Sequence, residues 1–340
     1  MQQTRAVIRL DSIRRNAAAL RAKAPESKLC AVVKADAYGH GAAMVALALS
    51  KDADMFAVAL VEEGARLRAA GIDKDILVLT PPLNEAEVLR AARYDLILTV
   101  ADAEDYALAV RSSERFGLCV RCHLKANTGM NRYGFDLHAL SGFLCARLSG
   151  CVAVEGIYSH FYRPEDENTC SIQFRLFRKF CAEAERAFGP LVKHIAATGG
   201  VLASPQYCMD MIRVGIGLYG YLPAGFSRRQ CEVRPALKVY ATVAGGRPYR
   251  GGGAGYGAYA PRSQRLSVVR AGYADGLFRE GERGKNALCM DAYVAEREIK
   301  KYREVCVFSD ADAYAARHGT ISYEVLVHIG ARAVKEYVGE

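Results

Sequence analysis

The chain has 340 residues, of which 51% are apolar and 24% charged, and its formal net charge is +9. This composition excludes a disordered, collagen-like or low-complexity protein. The length exceeds the roughly 250–300 residues at which a single core stops growing, so we expect a globular protein of two domains.

The predicted elements alternate between short β-rich runs and segments with helical periodicity. The runs, in chain order, are KLCAVVKA, DMFAVAL, DILVLT, DLILTV, LCVRCHLKA, VAVEGIYSH, HIAAT and MIRVGIGLYG. Segments such as EEGARLRAAG, NEAEVLRAARY and SIQFRLFRKFCAEAERAF lie between them. Eight strands with intervening helices predict an α/β fold, a (β/α)8 barrel of the TIM type.

The position of unusual residues distinguishes a barrel from an open doubly wound sheet, which shares this alternation. In a barrel the carboxyl ends of all strands converge on one face, where active sites are built, whereas in an open sheet they follow an edge. Polar or charged residues lie at or just past the ends of five different strands: Lys34, Lys125, His160, Thr198 and Arg213. This placement favours the barrel.

After Pro223 the pattern changes to strand-like runs separated by turns rich in Gly and Arg. The runs are ALKVYATVA, RLSVVRAGYADG, NALCMDAYV, EVCVFS and ISYEVLV, and one short helix is predicted at DADAYAARHG. We place the boundary at Arg228, which gives a barrel over residues 1–228 and a mostly β domain over residues 229–340.

The distribution of charge and cysteine bears on whether the chain binds nucleic acid, a membrane or a metal. The cations are spread over the chain without the aromatic-interleaved stripe of a nucleic-acid site, and no run approaches the roughly 20 apolar residues of a membrane span. Eleven cysteines without a secretion signal predict buried thiols and not a disulfide framework. Cys119 and Cys122 form an isolated CxxC whose members face opposite sides of a strand. We expect a cytoplasmic protein with no metal, nucleic-acid or membrane partner.

In the stretch AVVKADAYGHG, residues 31–41, an apolar core strand is followed by residues typical of a functional site. The apolar run before Lys34 is typical of a strand buried on both faces, and Lys34 lies at its carboxyl end. An ammonium there is desolvated or held beside an anion, which suits it to forming a Schiff base with a carbonyl. Taken alone, a strand-end lysine is more often a surface residue.

Further motifs follow in order: KANTGMNRYGF, GIYSHF, IRVGIGLYG, AGYGAY, AGYADGLFR, CMD and GTISYEVL. Together with AVVKADAYGHG they resemble the alanine racemase family, from about Val7 to Tyr337. The resemblance implies a pyridoxal 5′-phosphate enzyme of fold type III with a barrel and a C-terminal β domain. It also implies interconversion of L-alanine and D-alanine, which supplies D-alanine for a bacterial cell wall.

The resemblance assigns the catalytic residues. Lys34 holds the cofactor covalently and acts as one base, and Tyr256 in AGYGAY is the second base, opposite the first. A tyrosine with the ordinary pKa of about 10 is a weak base near neutrality, so a cation must stabilise its phenolate. Arg132 is the candidate, and it also pairs with the substrate carboxylate. Lys125 matches a lysine that can be carbamylated, which would orient Arg132.

The resemblance also assigns the cofactor contacts. Arg213 faces the pyridine nitrogen, and His160 supports Arg213. A guanidinium stays protonated, so it leaves the ring nitrogen unprotonated and weakens the electron sink. From the residues alone, the alternative is that Arg213 is a barrel-interior arginine paired with an acid such as Asp210. The cofactor phosphate is assigned to Tyr38, Thr198, Gly215, Ile216 and Tyr323.

Met290 and Asp291 match a loop whose backbone meets the substrate carboxylate in the neighbouring subunit. In this family Tyr256 and that loop enter the neighbour's barrel. The resemblance therefore implies a homodimer with shared active sites and a small amino-acid substrate.

The chain departs from the family pattern in places. The segment between Phe278 and Cys289 is short, AYVAEREIKK replaces an Asp-rich turn, and Ala197 stands where an amide residue is common. A serine or broad-specificity amino-acid racemase is therefore the alternative. A barrel decarboxylase that uses pyridoxal phosphate is disfavoured, because this chain has no matching glycine-rich phosphate segment. A noncatalytic cofactor-binding protein would tend to be the barrel alone, whereas this chain keeps a second domain.

Overall fold

The computed structural model describes residues 4–145, 148–256, 260–279 and 288–339. The chain divides into two compact units. We call Ile13–Ala37 with Ala42–Arg234 the barrel unit, and Met1–Ser12, Tyr38–Gly41 and Pro235–Glu340 together the β unit. Within the described residues, every helix is too short or too polar to span a bilayer.

Eight parallel strands form the core of the barrel unit. They are β2 (Lys28–Val32), β3 (Met55–Val58), β4 (Ile76–Val78), β5 (Leu98–Val100), β6 (Val120–Lys125), β7 (Val152–Tyr158), β8 (Val192–His194) and β9 (Met211–Val214). Two four-stranded sheets run in the orders β4-β3-β2-β9 and β5-β6-β7-β8. Parallel bridges from Leu77 to Ile97 and from Ala197 to Arg213 link the edges of these sheets, as in a (β/α)8 barrel. The predicted fold class is confirmed.

The helices of this part of the chain follow the strands in alternation. They are α1 (Leu10–Arg21), α2 (Lys34–Tyr38), α3 (Ala42–Ala48), α4 (Val61–Ala69), α5 (Glu85–Arg93), α6 (Ala103–Phe116), α7 (Leu137–Leu144), α8 (Glu167–Phe188) and α9 (Thr198–Ala203). Local sequence sets their ends: Asp102 caps α6 by accepting the N–H of Asp105, and Gly117 ends it in the left-handed conformation.

The turn α2 is left-handed. Residues 35–38 all have φ between 50° and 55° although none is glycine. This conformation costs L-residues about 1–2 kcal/mol each, so four in succession store roughly 4–8 kcal/mol. Such strain persists only where the surroundings hold it, and it is typical of functional sites. The Ala37 N–H donates to Val33 O, and Asp36 Oδ1 accepts the N–H of Ala42.

The β unit contains a mostly antiparallel sheet. Its strands are β1 (Thr4–Arg9), β10 (Leu237–Pro248), β11 (Arg265–Val269), β12 (Tyr293–Ala295), β13 (Glu304–Phe308) and β14 (Val334–Val338). The strand β1 pairs antiparallel with β10 and parallel with β14. A division at residue 228 puts Thr4–Arg9 with the barrel, whereas the structure puts it with this sheet. Its partners lie more than two hundred residues away, so no local signal marks the pairing.

Two helices complete the β unit, α10 (Ala311–His318) and α11 (Ser322–His328). The helix predicted at DADAYAARHG is confirmed. The strand predicted at ISYEVLV is wrong, because Ser322–His328 is helical and buries Val325 and Leu326. A short apolar run does not distinguish a strand from one buried helix face, and here tertiary packing decided.

Candidate active site

Lys34 follows β2 at the carboxyl end of the barrel strands and is half-buried. Burial and the charges of Arg132 and Arg213 lower the pKa of its amine, while the carboxylate of Glu63 acts in the opposite direction. A lysine with a lowered pKa is more often neutral near physiological pH, and the neutral amine is the nucleophilic and basic form.

Lys125, the last residue of β6, is a buried cation. Its side chain is 8% exposed, and Nζ lies 4.6 Å from the centre of the Tyr158 ring. Burial, Arg213 and Arg132 lower its pKa well below the ordinary value. In the described part of the chain, no carboxylate lies within ion-pair distance of Lys34, Lys125, Arg132 or Arg213. A cluster of basic side chains that form no ion pair among the described residues indicates a site for anions.

Arg213 on β9 is held by neutral acceptors. Its Nη1 lies 2.8 Å from His194 Nδ1 and donates to the His194 carbonyl at 3.0 Å. Its Nη2 donates to the Ser159 carbonyl at 2.7 Å and lies 3.3 Å from His160 Nδ1. The Nε–H has no partner among the described residues. One donor of a buried guanidinium is therefore left for a ligand.

The alternative role of Arg213, a pairing with Asp210, is wrong. Asp210 Oδ2 accepts the backbone N–H of Lys193 at 2.8 Å and lies 3.5 Å from its Nζ. Asp210 lies before β9 and Arg213 within it, so the two side chains leave the strand in different directions. The contact expected between His160 and Arg213 is present.

Two further histidines extend this network. Because a guanidinium only donates, His194 Nδ1 accepts, and its Nε2 carries the proton and donates to His123 Nδ1 at 2.9 Å. Burial lowers the pKa of His123 to about 3 and those of His160 and His194 well below the ordinary value. All three rings are neutral. Gly156 on β7 gives His123 its space, since a Cβ there would lie 2.7 Å from the ring.

Tyr158 provides the aromatic surface of the cluster. Its ring stacks on His194 with centroids 5.0 Å apart and planes at 3°, and the Arg213 guanidinium lies 5.1 Å from its centre. Its hydroxyl hydrogen-bonds Thr99 Oγ1 at 2.8 Å, and burial raises its pKa to about 12. A neutral aromatic ring therefore lies within cation–π distance of both Lys125 and Arg213.

Sequence reasoning did not select Tyr158, His194 or His123. Each lies inside a run that it did examine, GIYSHF, HIAAT and LCVRCHLKA. Their positions near strand ends were the available signal, but an isolated tyrosine or histidine in an apolar strand is more often a structural residue.

The residues assigned to the phosphate lie in both units. In the barrel unit, Thr198 is buried at the start of α9, and its Oγ1 accepts the N–H groups of Gly215 and Gly217 at 3.4 Å each. Ile216 is buried between them. The ends of β8 and β9 therefore bring small residues and backbone donors together.

In the β unit, Tyr38 and Tyr323 lie together with ring centroids 6.1 Å apart. Burial raises the pKa of both, that of Tyr323 to about 12, so both phenols keep their protons. Tyr256 belongs to the same unit and is 74% exposed. The rest of its motif, residues 257–259, lies outside the described residues.

Met290 and Asp291 lie on an anchored turn of the β unit. Any Cβ on Gly272 would lie 2.1 Å from the Met290 carbonyl, so the close approach of these segments requires glycine. Arg332 Nη1 pairs with Asp291 at 2.8 Å, and its Nη2 pairs with buried Asp275 at 2.9 Å. Most of the shortened segment, residues 280–287, lies outside the described residues.

A cavity of about 500 Å³ in the barrel unit lies beside Arg132. Arg132 lines it together with Asp102, Asn127, Asp136 and residues of the loop after β4. Arg132 is exposed and has no hydrogen-bond or ion-pair partner among the described residues. Its guanidinium is therefore available to an anion that enters from solvent.

Fold and site together define a (β/α)8 enzyme that binds anionic ligands beside a reactive lysine. Models of two domains match the chain: "Alanine racemase, N-terminal domain" over residues 8–223 and "Alanine racemase, C-terminal domain" over residues 237–337. The chain belongs to the alanine racemase family, whose members are amino-acid racemases that depend on pyridoxal 5′-phosphate. The predicted enzyme class and cofactor are confirmed.

Relatives match over nearly the whole chain. The alanine racemase of Desulfovibrio desulfuricans is 33% identical over 347 residues and covers 92% of this chain and of its own length. That of Aromatoleum aromaticum is 37% identical over 288 residues, 84% of this chain and 79% of the relative. Among solved structures, the alanine racemase of Clostridium difficile 630 has a TM-score of 0.90 at 28% identity, covering 100% of this chain and 97% of that one.

Proposed function

We propose that the chain interconverts L-alanine and D-alanine by a two-base mechanism with pyridoxal 5′-phosphate bound at Lys34. The observation that carries this proposal is the cluster of Lys34, Lys125, Arg132 and Arg213, which has no carboxylate partner among the described residues. A cofactor phosphate and an amino-acid carboxylate supply the negative charge that this cluster lacks.

The residues present fit the cofactor. The Arg213 Nε–H, unpartnered among the described residues, is a donor for the pyridine nitrogen. Bound pyridoxal 5′-phosphate supplies the electron sink that acidifies the Cα–H of the amino acid. Arg213 donates without giving up its proton, which moderates that sink and suppresses side reactions. The groups that hold the phosphate are Tyr38, Thr198, Tyr323 and the backbone N–H groups of Gly215 and Ile216.

The two bases act on opposite faces of Cα. The lowered pKa of Lys34 favours its neutral amine, the form that can act as a base on one face. Tyr256 of a second copy serves the other face. Its phenol is exposed at the surface of the β unit, as a side chain that enters another subunit must be.

Arg132 binds the substrate carboxylate and stabilises the Tyr256 phenolate, and the backbone at Met290 and Asp291 of the second copy contacts the same carboxylate. The lowered pKa of Lys125 favours its neutral amine, which is the form that reacts with carbon dioxide. Carbamylation would place an anion near Arg132 and so orient its guanidinium.

The proposal includes a homodimer with shared sites, in the cytoplasm, supplying D-alanine to a cell wall. The barrel unit binds the cofactor and the β unit contributes the second base. Serine or several amino acids remain the alternative substrates because the segment between Phe278 and Cys289 is short.

The experiment compares the wild type with Tyr256→Phe in deuterated water. With L-alanine, the wild type should exchange the Cα proton and form D-alanine. Tyr256→Phe should still bind the cofactor at Lys34 but lose exchange on the L face by roughly 100-fold or more, because one proton carrier is missing. Exchange from D-alanine, which Lys34 initiates, should persist.

The control is Tyr302→Phe, which changes another exposed tyrosine of the β unit and should leave the rate unaltered. Unchanged L-face exchange in Tyr256→Phe would remove it as a base. Cofactor absorbance without any exchange in the wild type would favour a binding protein, and faster turnover of serine would transfer the substrate assignment.

A further inference from the structure

Glu63 in the first turn of α4 uses both carboxylate oxygens on backbone donors. Oε1 accepts the N–H of Ala35 at 2.7 Å. Oε2 accepts the N–H of Ala59 at 2.7 Å and that of Leu60 at 3.1 Å. Ala59 and Leu60 connect β3 to α4, and Ala35 follows β2, which is the parallel neighbour of β3. One carboxylate therefore ties together the segments that leave two adjacent barrel strands.

The Ala35 N–H needs an acceptor from outside its own turn. The left-handed turn α2 is joined to the residue before it by the hydrogen bond from Ala37 N to Val33 O, whereas the N–H of Ala35 donates to Glu63. Ala35 is also the first residue with positive φ. The hydrogen bond that Ala35 donates to Glu63 therefore holds the point where the chain enters the strained conformation, directly after Lys34.

Glu63 also differs in charge from the other groups that act on Lys34. Arg132 from the loop after β6 and Arg213 from β9 both disfavour the lysine cation, and Glu63 from α4 favours it. The carboxylate of Glu63 therefore both holds the backbone near Lys34 and opposes the effect of the two guanidinium groups on the lysine charge.

We propose that Glu63 is a positioning residue for Lys34: its carboxylate anchors the left-handed turn at Ala35 and so fixes the lysine at the end of β2. This inference rests on the proposed role of Lys34 as the cofactor-binding base. Glu63 acts on Lys34 through the backbone N–H of Ala35 and through its own negative charge. No motif of the sequence marks it, since EEGARLRAAG has the periodicity of an ordinary helix between barrel strands.

The test uses the full chain and two substitutions, with Glu62 as a matched control. Glu63→Ala removes both the hydrogen bonds and the charge, and Glu63→Gln removes the charge while keeping one acceptor. Glu62 lies on the same helix and pairs instead with Arg90 at 2.7 Å and Arg66 at 3.6 Å. Glu62→Ala and Glu62→Gln therefore make the same chemical change without touching α2.

The first readout is hydrogen exchange of the peptide that covers residues 34–38. We expect exchange in Glu63→Ala to be roughly tenfold faster or more than in Glu62→Ala, because the lost bond has a charged acceptor. The second is the pH dependence of acetylation of Lys34 in the cofactor-free chain. Glu63→Gln should shift this curve to lower pH by roughly half to one unit, because loss of a nearby anion favours the neutral amine.

Glu63→Asp separates the two effects, since it keeps the charge but shortens the reach. It should restore the acetylation curve toward the wild type while leaving exchange fast. Equal exchange and coincident curves in the Glu63 and Glu62 variants would overturn the proposal. If Glu63→Ala does not fold, the comparison of Glu63→Gln with Glu62→Gln decides in its place. Neither readout needs turnover, so an inactive wild type would refute the proposed function without affecting this result.

Discussion

The neutral histidines around Arg213 show how single residues set the charge of this site. His194 and His160 present lone pairs to a guanidinium that cannot give up its proton, and His123 accepts from His194 in turn. Protonating any of these rings would turn an acceptor into a donor facing another donor. The network therefore holds Arg213 in place only while its histidines stay neutral.

A pH dependence of stability follows at the residue scale. The pKa of His123 is about 3 in the folded chain and about 6.5 when unfolded, so the unfolded state binds more protons between these values. The stability that neutral His123 contributes is fully present above pH 6.5 and is lost as the pH falls. Unfolding in urea should show a loss of roughly 2–3 kcal/mol between pH 6.5 and 4.5 from this group.

His123→Gln should reduce the fall in the free energy of unfolding between pH 6.5 and 4.5. His138→Gln, which changes an exposed histidine of α7, should leave this pH dependence unchanged. All three proteins are compared in the same cofactor state. An equal dependence of the free energy of unfolding on pH in wild type and His123→Gln would show that His123 is not the group that titrates.

At the scale of elements, the alternation of strands and helices was readable because each element carries its own periodicity. Seven of the eight barrel strands fall in the predicted runs, whereas β8 (Val192–His194) precedes the run HIAAT and shares only His194 with it. The helix α11 was not readable, because its short apolar run fits either structure until its partners are known. The turn α2 was also hidden, since KADAY contains no glycine to indicate positive φ.

The packing of β7 against β6 gives a prediction about elements. Gly156→Ala should lower the free energy of unfolding by about 1–3 kcal/mol, because its Cβ meets three atoms of the His123 ring at 2.7–2.8 Å. In Gly142→Ala, in α7, the new Cβ has no neighbouring atom within 4 Å. The free energy of unfolding should therefore be unchanged or higher by up to about 1 kcal/mol. Thermal unfolding of both variants distinguishes these outcomes, and equal midpoints would contradict the close contact at β7.

At the scale of the whole molecule, the proposed site needs two chains, and mixing inactive variants tests this directly. Lys34→Ala and Tyr256→Phe should each be nearly inactive in forming D-alanine. In a hybrid dimer, one site combines both substitutions and the other combines neither. Random exchange of equal amounts should therefore restore roughly a quarter of wild-type activity per chain.

Refolding the two variants separately before mixing them provides the control, since no hybrids form without subunit exchange. Activity that stays at the level of the separate variants after co-refolding would mean that Lys34 and Tyr256 do not act across a dimer.

The sequence by itself determined the alternation of strands and helices in the barrel, because hydrophobic periodicity is a local property. The order of the motifs, through the family resemblance, supplied the assignments of Lys34, Arg132 and Arg213, which stay predictions. Only the tertiary structure decided that Thr4–Arg9 joins the β sheet, that residues 35–38 turn left-handed and that His194 holds Arg213 in place of Asp210. These outcomes depend on groups that are distant in the chain and adjacent only after folding, so no local pattern encodes them.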